Sequence, residues 1–402
     1  MYLRFRRASG IWYDIRSFIG SAVAIMGIEN DITGLYTDRY ELEMARAYWR
    51  NDRHEERACF DYFFRGLPFG GGYVVFAGLE TLIDALKGFR FGGAHIQYLD
   101  TLGFPSDFLD YLKDFAFRGT VTAFREGDLV FPVEPIVRVE GNLVEAQIVE
   151  TLVLNILNFQ SLIATKAARC CREARGAPIS EFGLRRSHGP GGVWASRAAL
   201  IGGCGSTSNL DAGRRYGIPV AGTLAHAFIQ SYDDELEAFR AFAEEHRSNT
   251  ILLVDTYDTL KSGVPNAVRV AKEMRERGES LRGIRLDSGD LAELAKAARE
   301  QLDRAGLEDV KIVASNQIDE HVLRKLAEQE APIDLYGIGT NLAVGKPDAA
   351  LDGVYKLSRC GGKPRMKYSE TKEKETLPGI KSVTRYRDSD GTYRADAIQV
   401  AD

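Results

Sequence analysis

The stretch Gly283-Ile-Arg-Leu-Asp-Ser-Gly-Asp-Leu291 reads as a short apolar strand that runs into a polar turn carrying Arg285, Asp287 and Asp290. A helical sequence follows at once, Leu291-Ala-Glu-Leu-Ala-Lys-Ala-Ala-Arg-Glu300. Strand, polar turn and helix make one βα unit, and in an α/β barrel such a turn lies on the face where ligands bind. Ser288 or Asp290 is suited to cap the helix, which leaves backbone N–H groups directed at an anion. A capped turn with a surface ion pair has the same local sequence, so the weight of this unit comes from its repetition along the chain.

Glu181-Phe-Gly-Leu-Arg185 reads as a strand ending in Arg185, Arg186 and His188. Cys204-Gly-Ser-Thr-Ser208 is a polar corner before a helix, and Pro219-Val-Ala-Gly-Thr-Leu224 is a strand ending at Thr223 and His226. Ile251-Leu-Leu-Val-Asp255 ends in Asp255, Thr256 and Asp258. After the opening stretch come Lys311-Ile-Val-Ala-Ser-Asn316 and Asp334-Leu-Tyr-Gly-Ile-Gly-Thr340. Helices of roughly ten to fifteen residues separate the later strands, as βα units require. The strands are continuous apolar runs, which suits a parallel sheet covered by helices. Their polar ends converge on one rim, where a single ligand meets them all.

The flanking segments have another rhythm. Glu29 to Arg50 has helical spacing, Arg57 to Phe64 reads as a strand, and Leu67-Pro-Phe-Gly-Gly-Gly-Tyr73 as a glycine-rich loop. Asp128 to Glu140 reads as paired strands with turn prolines, and Val144 to Cys171 as a long buried helix. Gly353–Leu357, Arg365–Tyr368 and Ser382–Arg387 read as short strands, with Asp388-Ser-Asp-Gly391 as a hairpin turn. The division expected is therefore 1–25 as a basic, non-core extension with the start at Met26, 26–178 as an N-terminal α/β domain, 179–350 as an α/β barrel, and 351–402 as strands completing the N-terminal domain.

Composition narrows the class. A net charge of −5 leaves no global nucleic-acid footprint. The five cysteines form no CxxC pair, which argues against a disulfide framework or structural zinc and for a reducing, cytoplasmic setting. No apolar run reads as long enough to span a bilayer.

The rim chemistry points to a phosphorylated sugar. Arg185 and Arg285 are fork donors for carboxylate or phosphate. Ser315-Asn316 and Gly337-Ile-Gly339-Thr340 follow late strands, where phosphate sites often form. Asp287 and Asp290 suit Mg²⁺ or ribose hydroxyls, and His226 beside Thr223 suits a general base or a phosphate acceptor. No Ser-His-Asp motif, HExxH or Walker A sequence is present, so hydrolase and P-loop classes rank low.

An ordered set of stretches resembles the nicotinate phosphoribosyltransferases: Tyr36-Thr-Asp-Arg-Tyr40, Phe63 to Tyr73, Glu181 to Arg186, Gly222-Thr-Leu-Ala-His226, Asp255-Thr-Tyr-Asp258, Arg285 to Asp290, Ser315-Asn316, Gly337 to Thr340 and Gly353 to Leu357. The resemblance implies an irregular TIM-like α/β barrel plus an α/β domain built from both chain ends. It implies nicotinate and phosphoribosyl pyrophosphate as substrates, ATP hydrolysis coupled to their reaction, and Mg²⁺ with Asp287 as its candidate ligand. His226 would be the phosphorylated histidine. Tyr40 from the second subunit of a homodimer and Phe182 would stack on the pyridine ring, with Thr223 and Arg285 on the nicotinate side. Thr340, Gly337 and Gly339 would hold the 5′-phosphate with Ser315, Asn316 and Asp290 nearby, and Arg65 and Arg185 would lie near the diphosphate. Neither a nucleic acid nor a membrane is an expected partner.

Two departures stand out. Gly205 occupies a position where the family usually carries an aspartate, and members typically continue past the equivalent of Asp402, so the C-terminal segment reads as cut short. Two rivals remain. A nicotinamide phosphoribosyltransferase would carry an aspartate facing the substrate amide, whereas Ser206-Thr207-Ser208 offers hydroxyls that suit the acid. A shortened, non-catalytic homologue would bind nucleotide or a partner chain without turnover.

Overall fold

The structure, a computed structural model, describes residues 32–370 and 374–401, with the backbone of Arg4–Arg6 and Trp12–Asp14, which pair antiparallel. The rest of Met1–Ile25, expected to be a non-core extension, lies outside the described residues. The chain forms two compact units, residues 1–162 with 350–402, and residues 163–349.

The division falls inside the helix Glu150–Glu173, not after it as the sequence suggested at residue 178. The physical reason lies in what the last turns touch. Arg169 donates to Glu320 Oε1 at 3.0 Å, Lys166 pairs with the other oxygen of Glu320, and a Cβ at Gly202 would stand 2.3 Å from the Ala164 carbonyl. These partners all belong to the second unit. The helical stretch Leu143–Glu173 has the length and composition to cross a membrane, contrary to the sequence expectation, but most of it is buried as a core helix.

In the first unit an antiparallel sheet runs in the order Lys363–Pro364, Gly353–Cys360, Arg57–Phe64, Val137–Asn142, Thr120–Ala123. Arg57–Phe64 is central and buried along nearly its whole length, so both its faces are packed. The Phe60 and Tyr355 rings stack 4.8 Å apart, and the Tyr355 hydroxyl donates to the Ala146 carbonyl at 2.8 Å. The strands in Asp128–Glu140 do not pair with each other: Leu129–Val130 pairs with Val74–Val75, because Val133, Pro135 and the intervening turn redirect the chain. Lys381–Arg387 and Tyr393–Val400 form the expected hairpin, whereas Arg365–Tyr368 is not a strand.

In the second unit six strands pair in parallel, in the order Ile251–Leu253, Gly283–Leu286, Lys311–Ala314, Leu335–Ile338, Ile179–Glu181, Ser206–Thr207. Glycine is required at Gly283, where a Cβ would meet the Lys311 carbonyl at 2.7 Å. Pro219–Leu224 is not the strand expected. Only Val220 bridges to Thr207, since Pro219 has no N–H to continue a ladder. The strand at Glu181 also ends early and gives way to a tight 3₁₀ turn, Leu184–Arg186. Among the described residues no pairing joins Val220 to Ile251.

Candidate active site

Arg285, the third residue of its strand, gathers the ends of neighbouring strands. Its Nε donates to Ser315 Oγ at 2.8 Å, its Nη1 to Thr223 Oγ1 at 2.8 Å and its Nη2 to Asp287 Oδ1 at 2.9 Å. Ser315 in turn donates to the same Asp287 oxygen. The guanidinium carbon lies 5.9 Å from the centre of the Phe182 ring, within cation–π range. Burial alone would raise the Asp287 carboxyl, but the Ser315 hydroxyl and Arg285 overcome that and hold its pKa below the usual carboxylate value.

His226 opens a short helix, His226–Gln230, just past the Val220 bridge. Its Nδ1 lies 3.0 Å from Thr256 Oγ1. Its Nε2 faces two carboxylates, Asp255 Oδ1 at 3.9 Å and Asp287 Oδ2 at 3.8 Å. Asp255 is buried, and its Oδ2 accepts from the Asp287 N–H and the Ser288 hydroxyl, both at 2.7 Å. Asp255 Oδ1 is buried and accepts no hydrogen bond. Asp255 and Thr256 were visible in the sequence as strand-end residues of a family-like stretch; their contact with His226 joins segments that are far apart in the chain.

Phe182 lies over Gly337, where a Cβ would be 2.5 Å from the ring, and Gly339 approaches the Phe182 carbonyl. Any larger residue at Gly337 would displace the ring. Gly339 precedes the short helix Thr340–Ala343. Asn316 and Gln317 adopt positive φ of 92° and 49°, and Asn341 Nδ2 holds the Gln317 carbonyl at 2.9 Å. Phe182, Thr223, His226, Arg285, Asp287 and Ser315 are thus linked directly or through one neighbour.

The remaining candidates sit on other elements. Asp290 is the N-cap of the helix Leu291–Arg304, its Oδ1 accepting from the N–H groups of Ala292 and Glu293. Arg185 is exposed on the 3₁₀ turn. Tyr40 and Arg65 belong to the first unit, Tyr40 with 47 % of its surface exposed and Arg65 resting 5.5 Å over the Phe63 ring. A Cβ at Gly205 would meet only the Ile179 carbonyl, at 3.9 Å, so no steric demand explains glycine there. Among the described residues no cluster of three or more His, Cys, Asp or Glu is arranged to hold a metal ion.

Cationic, hydroxyl and carboxylate groups gathered at the ends of parallel strands are the arrangement of an α/β enzyme whose sheet rim suits anionic groups. Residues 35–158 match the nicotinate phosphoribosyltransferase (NAPRTase) N-terminal domain, and residues 178–393 match the nicotinate phosphoribosyltransferase (NAPRTase) family. The chain belongs to the nicotinate phosphoribosyltransferase family. It is 49% identical over 365 residues to nicotinate phosphoribosyltransferase of Bacillus subtilis, covering 89% of this chain and 74% of that one. It is 37% identical over 429 residues to the human nicotinate phosphoribosyltransferase, covering 92% and 79%. The crystal structure of human nicotinic acid phosphoribosyltransferase is similar with a TM-score of 0.80 at 35% identity, covering 91% of this chain and 81% of that one.

Proposed function

We propose that this chain transfers the phosphoribosyl group of phosphoribosyl pyrophosphate to nicotinate, giving nicotinate mononucleotide and diphosphate in NAD synthesis, with ATP hydrolysis coupled through His226. The observation that carries the reading is the Arg285 cluster beside His226 in a chain of this family. Arg285 and Thr223 offer a fork and a hydroxyl to the nicotinate carboxylate. Phe182 offers one face for the pyridine ring, and Tyr40 of a second copy the other. The Ser315-Asn316 turn and Gly337 to Thr340 suit the 5′-phosphate, Asp290 suits a ribose hydroxyl, and Arg65 and Arg185 suit the diphosphate.

The bond from the ribose carbon to diphosphate breaks as the pyridine nitrogen forms the new one. Positive charge grows on the ribose carbon, so stabilising the departing diphosphate is the main catalytic task. Mg²⁺ arriving with the phosphates would neutralise their charge, with Asp287 and the unsatisfied Asp255 Oδ1 as carboxylates suited to it. For His226 Nε2 to attack the γ-phosphate of ATP, Nδ1 must carry the ring proton, and Thr256 Oγ1 is placed to accept a hydrogen bond from that N–H.

Three further readings accompany this one. The strand order, Ile251 through Leu335–Ile338 to Ile179 and on to Val220, is a cyclic permutation of chain order, which supports an irregular α/β barrel. Homodimerisation is supported by the need to cover both faces of the pyridine. A cytoplasmic setting is supported by five free cysteines, four of them buried.

The test is synthesis by the purified chain from labelled nicotinate and phosphoribosyl pyrophosphate, with nicotinamide in parallel and with and without ATP. Nicotinate should be used far faster, and ATP should raise the rate. Turnover of nicotinamide alone would favour the amide reading, and no turnover of either would favour a non-catalytic homologue.

A further inference from the structure

Beside the Arg285 cluster lies a second polar group that the proposed chemistry does not use. Glu181, Ser196, Thr207 and Asn209 are all at most 1% exposed. Burying a carboxylate costs several kcal/mol unless its lone pairs are satisfied. Here one oxygen, Oε1, takes the Gly183 N–H, while Oε2 takes the hydroxyls of Ser196 and Thr207, both at 2.7 Å.

Because an ionised carboxylate only accepts, it sets the direction of everything behind it. Ser196 Oγ also lies 3.0 Å from the Gly192 carbonyl, but the shorter bonds to the carboxylate take both hydroxyl protons, so both hydroxyl oxygens are left to accept. Asn209 fills them, its backbone N–H reaching Thr207 Oγ1 at 3.0 Å and its Nδ2 reaching Ser196 Oγ at 3.2 Å. Asn209 Oδ1 meanwhile caps the helix Leu210–Tyr216. The Glu181 backbone carbonyl adds a further link, accepting from the Ser208 N–H at 2.9 Å.

The consequence is geometric. Phe182 sits between two pinned residues, Glu181 and Gly183, with its own N–H bonded to the Ile338 carbonyl at 2.8 Å. No side chain fits at Gly183, because an added Cβ would stand 2.2 Å from Ala343 Cβ. The hydroxyl corner Ser206–Ser208 is tied to the same carboxylate. We propose that Glu181 is a positioning residue for the pyridine pocket: its carboxylate locks the Phe182 ring relative to the Thr207–Ser208 corner and thereby sets affinity for the ring-bearing substrate. This rests on the reading of Phe182 as the platform for nicotinate.

Glutamine tests the idea closely. At the Oε1 position an amide nitrogen confronts the Gly183 N–H and strands that donor; at the Oε2 position it turns the Ser196 and Thr207 hydroxyls away, toward the Gly192 carbonyl and Ser196 Oγ, so the tie is broken in either rotamer. Steady-state rates are measured with nicotinate and phosphoribosyl pyrophosphate varied in turn. Glu181→Gln should raise KM for nicotinate by about tenfold or more, from the loss of charge-assisted hydrogen bonds that hold Phe182 against the corner. Its kcat and its KM for phosphoribosyl pyrophosphate should stay close to wild type. Thr207→Val should do the same, Thr207→Ser should restore wild-type behaviour, and the double variant should be no worse than Glu181→Gln alone. An unchanged nicotinate KM, equal rises in both KM values, or strictly additive effects would each overturn the proposal. If Glu181→Gln does not fold, the Thr207→Val and Thr207→Ser pair decides the question by the same criteria. An inactive wild type would overturn the functional reading and this proposal together, whereas an active wild type with unaffected variants sinks the proposal alone.

Discussion

Asp287 stands between two chemistries: its Oδ2 lies 3.8 Å from His226 Nε2, and its Oδ1 takes Arg285 Nη2 at 2.9 Å. One carboxylate therefore touches both the proposed phosphate acceptor and the proposed nicotinate anchor. A phosphoryl group on His226 would repel Asp287 and draw on Arg285, which gives a direct electrostatic path from ATP to the substrate side.

Replacing Asp287 by asparagine should disturb both ends. It leaves an oxygen to accept from Arg285 and Ser315 but strips the charge assistance from both bonds, which weakens each by about 1 kcal/mol. The kcat/KM for nicotinate should fall by roughly ten- to a hundredfold, with ATP stimulation reduced as well. Steady-state kinetics with and without ATP measure both; a loss of nicotinate affinity with normal ATP stimulation would show that Asp287 serves only Arg285.

Sharing of the site between subunits has its own test. Tyr40 is exposed on the helix Arg39–Arg50, as a residue that covers a partner's ligand would be. Tyr40→Ala and Arg285→Ala chains should each be inactive, and co-refolding them should restore part of the activity through hybrid dimers. Hybrids that form and stay inactive would rule the shared site out.

How far these residues could be read from sequence depends on whether their roles are local. Arg285, Asp287 and Ser315 follow apolar strands, so the βα rhythm marked them directly. Asp290 was legible as a cap for the same reason, and the cap is what it makes. The Thr256 contact to His226 and the Glu181 network escaped, because they link residues 30 and 26 positions apart through tertiary contacts that no local pattern reports. Pro219–Leu224 looked like a strand by apolarity, yet its proline confines it to a single bridge. The unit boundary was misplaced because one uninterrupted helical pattern serves two packing environments, which periodicity alone does not distinguish.

Stability of the first unit should depend on pH through Glu41. Burial raises its pKa from 4.5 to about 7, although hydrogen bonds from Thr151 and Thr37 oppose the rise. Between those values the folded chain holds a proton that the unfolded chain releases. Stability should therefore fall as pH climbs through that window. Glu41→Gln mimics the protonated form and should flatten this part of the Tm–pH curve. A variant whose curve runs parallel to wild type would contradict the assignment.

The hairpin Lys381–Arg387 with Tyr393–Val400 is anchored by a buried ion pair. Lys381 Nζ lies 2.7 Å from Asp61 Oδ2, each side chain 4% exposed, and also donates to the carbonyls of Leu377 and Gly379. Lys381→Met should destabilise the fold by about 3–5 kcal/mol in denaturant unfolding, because Asp61 is left buried and uncompensated. Adding Asp61→Asn should recover part of that loss; a double variant as unstable as the single one would place the cost elsewhere.

The central claim is that His226 ties ATP hydrolysis to phosphoribosyl transfer without taking part in the transfer itself. Its most direct measurement is simultaneous assay of ATP hydrolysis and nicotinate mononucleotide formation by wild type and His226→Ala. Wild type should hydrolyse ATP in step with product formation and carry an acid-labile phosphoryl group. His226→Ala should lose both the hydrolysis and the label while keeping slow, ATP-independent synthesis. Nicotinate-dependent ATP hydrolysis that persists in His226→Ala would contradict the account.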